Sequence, residues 1–344
     1  MSNSFTRPFK FYGAGSSFFG ISLINGLLTI LTLGLYRPWA ITSIRKFLWD
    51  NTHIYDSNLK YHGKGIEIFR GFMLIYITLI IVFISSMASP AFYMVILGVV
   101  WIFGVLFLLP FAAFSAYRYR VTRTSWRGIF FSFDGSFKEY YIGVVKNMLL
   151  MAGGYIVLVL SFMMLNPILI MVAGILFLGL FLFAVTWYMV YTQTYLINHT
   201  RIGNHRLNFV GDISELLLIN IMAIFSFAIV FIPMMLKMRT QFLVNNTSIH
   251  SPEGKVSRMA FTLSTGQAYS KYILNFLLTI FTGGLGGAWA YINILEMNLT
   301  NIAIESNFDP SELTQDYTRK ANGEGLGEAL GSSMETDFGI DLGL

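Results

Sequence analysis

The chain of 344 residues contains no cysteine, which excludes disulfides, thiolate metal sites and a cysteine nucleophile. Charge is scarce as well: 12% of residues are charged against 55% hydrophobic, far from the balance of a water-soluble domain. Histidine occurs five times, as His53, His62, His199, His205 and His250, always in polar connections. No HExxH or other tight ligand spacing joins them, and a pair such as His199 and His205 makes a poor metal site, so no metal is expected. A G-x-S-x-G elbow and a Walker loop are both missing, and GAGSSFFG at Gly13 to Gly20 lacks the GK[ST] that a phosphate loop needs. Asp134, Asp212 and Glu215 have no partner base or nucleophile and read as helix starts. No enzyme, catalytic residue or cofactor is therefore expected.

What the chain does have is long apolar runs and a mean hydropathy of +0.62. The runs cover Arg70 to Pro90, Ala91 to Ala116, Tyr140 to Leu165, Pro167 to Val190 and Glu215 to Leu236, each long enough to cross roughly 30 Å of hydrocarbon. Two more, Phe18 to Tyr36 and Tyr269 to Ala290, are broken near their ends by candidate bends at Gly34 and Pro38, and at Gly283, Gly284, Gly286 and Gly287. The first ten residues are polar, so no cleaved secretory signal is read there.

The two broken runs share wording. NGLLTILTLGLYRPWA, Asn25 to Ala40, returns as NFLLTIFTGGLGGAWA, Asn275 to Ala290, identical at ten of sixteen positions. Around them recurs a short alternating segment ending in a small residue: FKFYG at Phe9, LKYHG at Leu59, FSFDG at Phe131, LNFVG at Leu207 and a worn AFTLS at Ala260. Eight or nine residues before three of these stands a polar helix-stop signal, at Asn51, Arg123 or Asn198, and a fourth, at Asn246, precedes the last copy by a longer spacer of 14 containing SPEG. In this register Asn25, Asn147 and Asn275 each lie 14 residues beyond an aromatic strand position, whereas Asn220 lies 11 beyond, one helical turn early.

These patterns predict an all-α, multi-pass integral membrane protein made of tandem units, with short strand segments on the cytoplasmic side. The units cover about residues 9–52, 59–125, 131–200, 207–247 and 260–305, and 306–344 form a flexible, acidic, Gly-rich tail whose end, METDFGIDLGL, suits a docking peptide. Units one, four and five either cross once or re-enter as bent hairpins; the second arrangement brings all strands to one face, where they pair.

The pattern at Asn25 to Ala40, the FxFxG strand before it, the Asn-Thr after it and the ending GEGLGEALGSSMETDFGIDLGL together resemble the YjgN family of bacterial inner-membrane proteins of unknown function. In the last unit Gly286, Gly287 and Ala288 replace the Tyr-x-Pro of the pattern, which leaves the bend there open. The resemblance implies a multi-pass protein of the bacterial cytoplasmic membrane and carries over no catalytic residues.

Lys and Arg crowd the strand-bearing connections and are missing from the turns near Pro90 and Pro167, which puts strands two to four inside the cell. Arg45, Lys46, Arg118, Arg120, Arg123 and Arg127 are candidate contacts for anionic lipid, with Trp39, Trp49 and Trp126 beside them at the interface. The sequence pI of 9.2 is explained by these membrane-flanking groups, so nucleic acid is not an expected partner. Asn25, Asn147, Asn220, Asn275 and Lys146 are either a polar pathway or interhelical glue, with Lys146 attracting an anion or snorkelling. Two functions compete: a transporter or channel-like protein for a small molecule or ion, and a lipid-interacting scaffold that recruits partners through strands and tail. A homo-oligomer and a tail-binding protein complete the expected partners, after the membrane lipids.

Overall fold

The computed structural model describes residues 4–88, 90–164, 166–225 and 232–315. The chain begins with β1 (Phe5–Thr6) and β2 (Phe9–Phe11), then α1 (Gly15–Leu31) and α2 (Arg37–Asn51). β3 (Thr52–Ile54) and β4 (Ser57–Tyr61) lead to α3 (Gly65–Ala88), α4 (Pro90–Phe103), a π-helical turn at Gly104–Leu108 and α5 (Leu109–Thr122). β5 (Thr124–Trp126) and β6 (Ile129–Phe133) precede α6 (Phe137–Met163) and α7 (Pro167–Asn198). β7 (Thr200–Ile202) and β8 (His205–Phe209) precede α8 (Ile213–Phe225) and α9 (Ile232–Asn245). β9 (Thr247–His250) and β10 (Val256–Phe261) precede α10 (Thr265–Phe281) and α11 (Gly287–Thr300), and β11 (Ile302–Glu305) follows.

The expectation of an all-α fold is corrected. The strands form one eleven-stranded antiparallel sheet in the order β1-β11-β10-β9-β8-β7-β6-β5-β4-β3-β2. Each segment is too short to hold a ladder alone, and the partner across a helical excursion lies up to about 70 residues away, with β1 and β11 paired from the two ends of the sheet's chain, so the alternation looked like local punctuation between helices. In space the pairing recurs with one register: Phe11 faces Thr52, Tyr61 faces Thr124, Phe133 faces Thr200, Phe209 faces Thr247 and Phe261 faces Ile302. Only Arg7 and Pro8 separate the two edge strands, so the sheet curls until its ends approach each other.

This pairing also fixes the path of the helices. The strand entering each helical excursion pairs with the strand leaving it, so all five excursions, those of units one, four and five included, start and finish on the same side. Among the described residues three helices, Gly65–Met87, Phe137–Met163 and Pro167–Asn198, are long and apolar enough to cross a membrane, whereas the run Ala91 to Ala116 is divided among α4, the π-helical turn and α5. The helices pack in chain order around a ring, and α1 closes it against α11.

Strand positions two apart share a face, and that face carries a continuous core. Leu59, Phe131, Leu207 and Met259 pack with Trp126, Ile249 and Ile304, and beyond them with Phe308 and Leu313 of the segment after β11. Two residues on, Tyr61, Phe133, Phe209 and Phe261 are buried among helix side chains. The glycine of the FxFxG signature is explained here: a Cβ at Gly63 would lie 2.5 Å from the Tyr61 ring, and at Gly13, Gly135 and Gly211 2.6 Å from Phe11, Phe133 and Phe209.

Candidate functional site: helix turns, buried asparagines and the collar

The recurring Asn-x-x-x-Thr-x-x-Thr wording builds a helical hairpin turn. A helix ending in lipid leaves its last carbonyls and the next helix's first amides without partners. Thr32 Oγ1 donates to Leu28 O (2.7 Å) and accepts from Tyr36 N (3.0 Å), so one hydroxyl serves both helices. Thr282 repeats this with Leu278 O (2.7 Å) and Gly286 N (2.6 Å). Thr29 and Thr279 donate to Asn25 O (2.6 Å) and Asn275 O (2.9 Å). The bend lies at left-handed backbone: Leu33 and Gly34 have φ of 50° and 90°, Gly283 and Gly284 of 59° and 94°. Pro38 then occupies the first turn of α2, whereas Gly286 caps α11 and Gly287 begins it. The Tyr-x-Pro replaced in the last unit leaves the bend geometry unchanged.

All four asparagines are buried. Asn147 Nδ2 donates to Ala184 O of α7 (3.0 Å), and its Oδ1 is buried without a hydrogen-bond partner. Asn275 accepts from Asn293 Nδ2 of α11 (2.9 Å) and donates to Lys271 O (2.8 Å). Asn220 donates to Thr186 Oγ1 of α7 (2.9 Å) and accepts from Arg239 Nη2 of α9 (2.9 Å). Lys146 is exposed on α6, beside Asn147 but pointing away from the helix contacts. Arg239 went unnoticed in the sequence because it stands just past the end of an apolar run, where a basic residue reads as one more membrane-flanking charge; the early position of Asn220 was its signal.

The basic residues divide by burial. Lys46 and Arg127 are exposed, whereas Arg45 and Arg120 are buried. Arg45 lies over the Tyr61 ring and donates to its hydroxyl (3.4 Å). Arg123 pairs with Glu67 (3.0 Å), whose other oxygen accepts from Tyr119 Oη (2.6 Å). Arg118 is half-buried on α5. Of the helix-stop residues, Asn51 and Asn246 bond the carbonyl one turn back, Phe47 O (2.7 Å) and Phe242 O (2.9 Å), as do His199 beside Asn198, to Tyr195 O (2.7 Å), and Asn301 at the end of α11, to Met297 O (2.8 Å), whereas Asn198 Oδ1 accepts from Phe209 N (2.6 Å) and Arg123 pairs with Glu67.

Residues 306–315, the start of the segment read as tail, form a strap on the collar; 316–344 and the docking peptide METDFGIDLGL lie outside the described residues. Asn204 in the β7–β8 turn holds the strap three ways: its amide donates to Thr314 O (3.0 Å), its Oδ1 accepts from Thr314 N (3.1 Å) and its Nδ2 donates to Glu312 O (3.3 Å). Lys255 pairs with Glu312 (3.2 Å), and Gln315 Oε1 accepts from Phe130 N (2.8 Å). His205 is buried beside Phe308, and burial holds its imidazole below the ordinary value of 6.5. A groove of about 500 Å³ lies by α7 and α8, with Phe183, Leu217, Leu218 and Ile221 as apolar walls and Asp212 and Ser214 at its polar end. Among the described residues no group of three or more His, Asp or Glu is placed to hold a metal.

The family described as "Bacterial protein of unknown function (DUF898)" matches residues 6–253 and 216–331. Among curated proteins, the inner membrane protein YjgN of Escherichia coli O157:H7 is 28% identical over 212 residues, 58% of this chain and 52% of that protein. YjgN of Salmonella typhimurium is 31% identical over 173 residues, 49% of this chain and 42% of its own. YjgN of Escherichia coli K12 is 30% identical over 139 residues, 40% and 33%. The chain thus spans about half, or less, of the curated relatives it matches. No solved structure matches. With the family model covering most of its length, the chain belongs to the DUF898 family of bacterial proteins of unknown function, with YjgN proteins as relatives, and is a protein of the bacterial inner membrane.

Proposed function

We propose that the protein is a non-enzymatic membrane scaffold that organises lipid around a ring of unequal arms, with its strand collar in the cytoplasm. The observation that carries this reading is the difference in arm length. α6 and α7, of 27 and 32 residues, extend roughly 40 and 48 Å, whereas α10 and α11, of 17 and 14 residues, extend roughly 26 and 21 Å. All start from one sheet, so long arms cross a hydrocarbon layer of roughly 30 Å while the short arms, polar in their first turns, end inside it. Lipid beside the short arms must thin or tilt to cover their turns. The crowding of Lys and Arg on the collar side supports the cytoplasmic orientation.

The transport reading has less to draw on. Its candidate pathway residues Asn147, Asn220 and Asn275 are buried and bonded to neighbouring helices. The tandem wording of the sequence fits a scaffold equally well, because one hairpin design is reused to close a ring.

Cysteine labelling in the cysteine-free chain tests the proposal. An impermeant maleimide should reach Ser57→Cys on the collar from the cytoplasmic side and Asn166→Cys at the tip of the α6–α7 arm from the opposite side. Leu285→Cys, in the α10–α11 turn, should react from neither. Labelling of Leu285→Cys from the far side would show that the short arms cross completely, and the proposal would fail.

A further inference from the structure

Arg239 is a cation that the architecture does not require. Its position, eight residues before the strand that follows its helix, is filled in the other four excursions by Ile44, Ala116, Thr192 and Ile294. The same packing is therefore achieved four times without charge. Among the described residues no carboxylate pairs with Arg239; its hydrogen-bond partner is the neutral Asn220, and its Nε is buried with no acceptor. Asn220 is itself displaced one turn toward the sheet relative to Asn25, Asn147 and Asn275, and that displacement brings it to the guanidinium. The two departures of the fourth excursion from the common pattern thus bond to each other. Thr186 on α7 accepts from Asn220 Nδ2, which turns Asn220 Oδ1 toward Arg239 and fixes the guanidinium.

A guanidinium has five N–H donors and is always charged. Half-buried about two turns below the collar, in the helix layer, against one neutral amide oxygen, it lacks among the described residues the counter-charge that a cation in such a setting ordinarily has. We propose that Arg239, oriented by Asn220 and Thr186, is a receptor for a phosphate group, the phosphodiester of an anionic phospholipid drawn in along the short-arm side of the ring. The planar fork suits two phosphate oxygens, and the ligand supplies the missing negative charge. This deepens the lipid-scaffold reading by giving it a ligand class and a residue. It is separable from it, because the labelling experiment reads arm depth and is indifferent to Arg239.

The test uses the full chain in neutral detergent. Thermal unfolding is followed with added phosphatidylglycerol, with phosphatidylcholine and with inorganic phosphate, and retained lipid is counted by native mass spectrometry. Wild type should retain one phosphatidylglycerol per chain and gain several degrees in Tm, with apparent affinity at least ten-fold above that of Arg239→Gln. Stabilisation by inorganic phosphate alone would also support the anion site while assigning free phosphate as its source. Asn220→Asp covers the case in which Arg239→Gln does not fold: an internal carboxylate neutralises the guanidinium, so this variant should stay folded and lose the response to both sources. Arg206→Gln, at an exposed position of β8, should respond as wild type. Equal retention and equal shifts in wild type and Asn220→Asp would overturn the proposal.

Discussion

One hydroxyl doing the work of two is the smallest device in this structure. Thr32 and Thr282 each bind a carbonyl behind and an amide ahead, where lipid offers no replacement. Thr282→Val keeps the shape and removes both bonds, so it should cost about 1–3 kcal/mol, the penalty of stranding backbone groups where lipid offers no partner, while Thr282→Ser stays near wild type. Thermal unfolding in detergent checks this, and a valine variant as stable as the serine one would contradict it. His205 gives a second prediction. Glu312 and Glu253 pull its pKa up and Lys255 pulls it down, but burial outweighs them and the native ring resists a proton. The unfolded chain accepts that proton at the ordinary value near 6.5, so the contribution is fully present above this pH. It is lost progressively as pH falls below 6.5, until the native ring protonates as well. His205→Gln should flatten the fall in stability between pH 7.5 and 5.5, and an unchanged slope would place the acid sensitivity elsewhere.

At the scale of elements, the strap explains how an eleven-stranded collar covers the end of its core farthest from the helices. Phe308 and Leu313 are buried against Trp126, Ile249 and Ile304, and burial of two such side chains contributes roughly 3–6 kcal/mol. The strap is tested by comparing a chain ended after Gln315 with one ended after Glu305. Ending the chain after Glu305 should destabilise the collar by a few kcal/mol, read as faster proteolysis in the β7–β8 turn that the strap covers through Asn204; equal cleavage of the two truncations would refute the strap. Much at this scale was legible in the sequence: the FxFxG segments are strands, the polar stops bond helix carbonyls, and Gly34 and Gly283 mark true bends. That strands on one face would pair was an open alternative, but the partners and register were not legible, because Tyr61 meets Thr124 and Phe133 meets Thr200 across 60 residues or more, and no local pattern states that distance. The Arg239–Asn220 contact was hidden for the same reason, as each residue is ordinary until α8 and α9 are side by side.

At the scale of the molecule, the ring closes through the same contact that joins its neighbours. Trp39 on α2 packs over Gly65 at the start of α3, where a Cβ would come within 2.7 Å of the indole. Trp289 on α11 packs over Gly15 at the start of α1 in the same way, with 2.4 Å to the indole, so the last hairpin treats the first as the next in line. Ser306 N and Ser4 O bond across the ends (2.9 Å), and β1 pairs β11. A ring has no privileged starting point, so a cut elsewhere leaves each piece held at two seams instead of one. Dividing the chain between Arg127 and Gly128, in the β5–β6 turn, severs one covalent link while leaving the α5–α6 and β5–β6 seam and the α1–α11 and β1–β11 seam to hold. Co-expressed fragments 1–127 and 128–344 should therefore assemble in the membrane and copurify through a tag on either one. Adding Gly15→Leu, which drives a side chain into Trp289, should abolish copurification by breaking the second seam, whereas Gly15→Leu in the undivided chain should leave the protein in the membrane with a lowered Tm. Fragments that fail to find each other without that substitution would show that closure contributes little, and that the five hairpins are held together chiefly by chain connectivity.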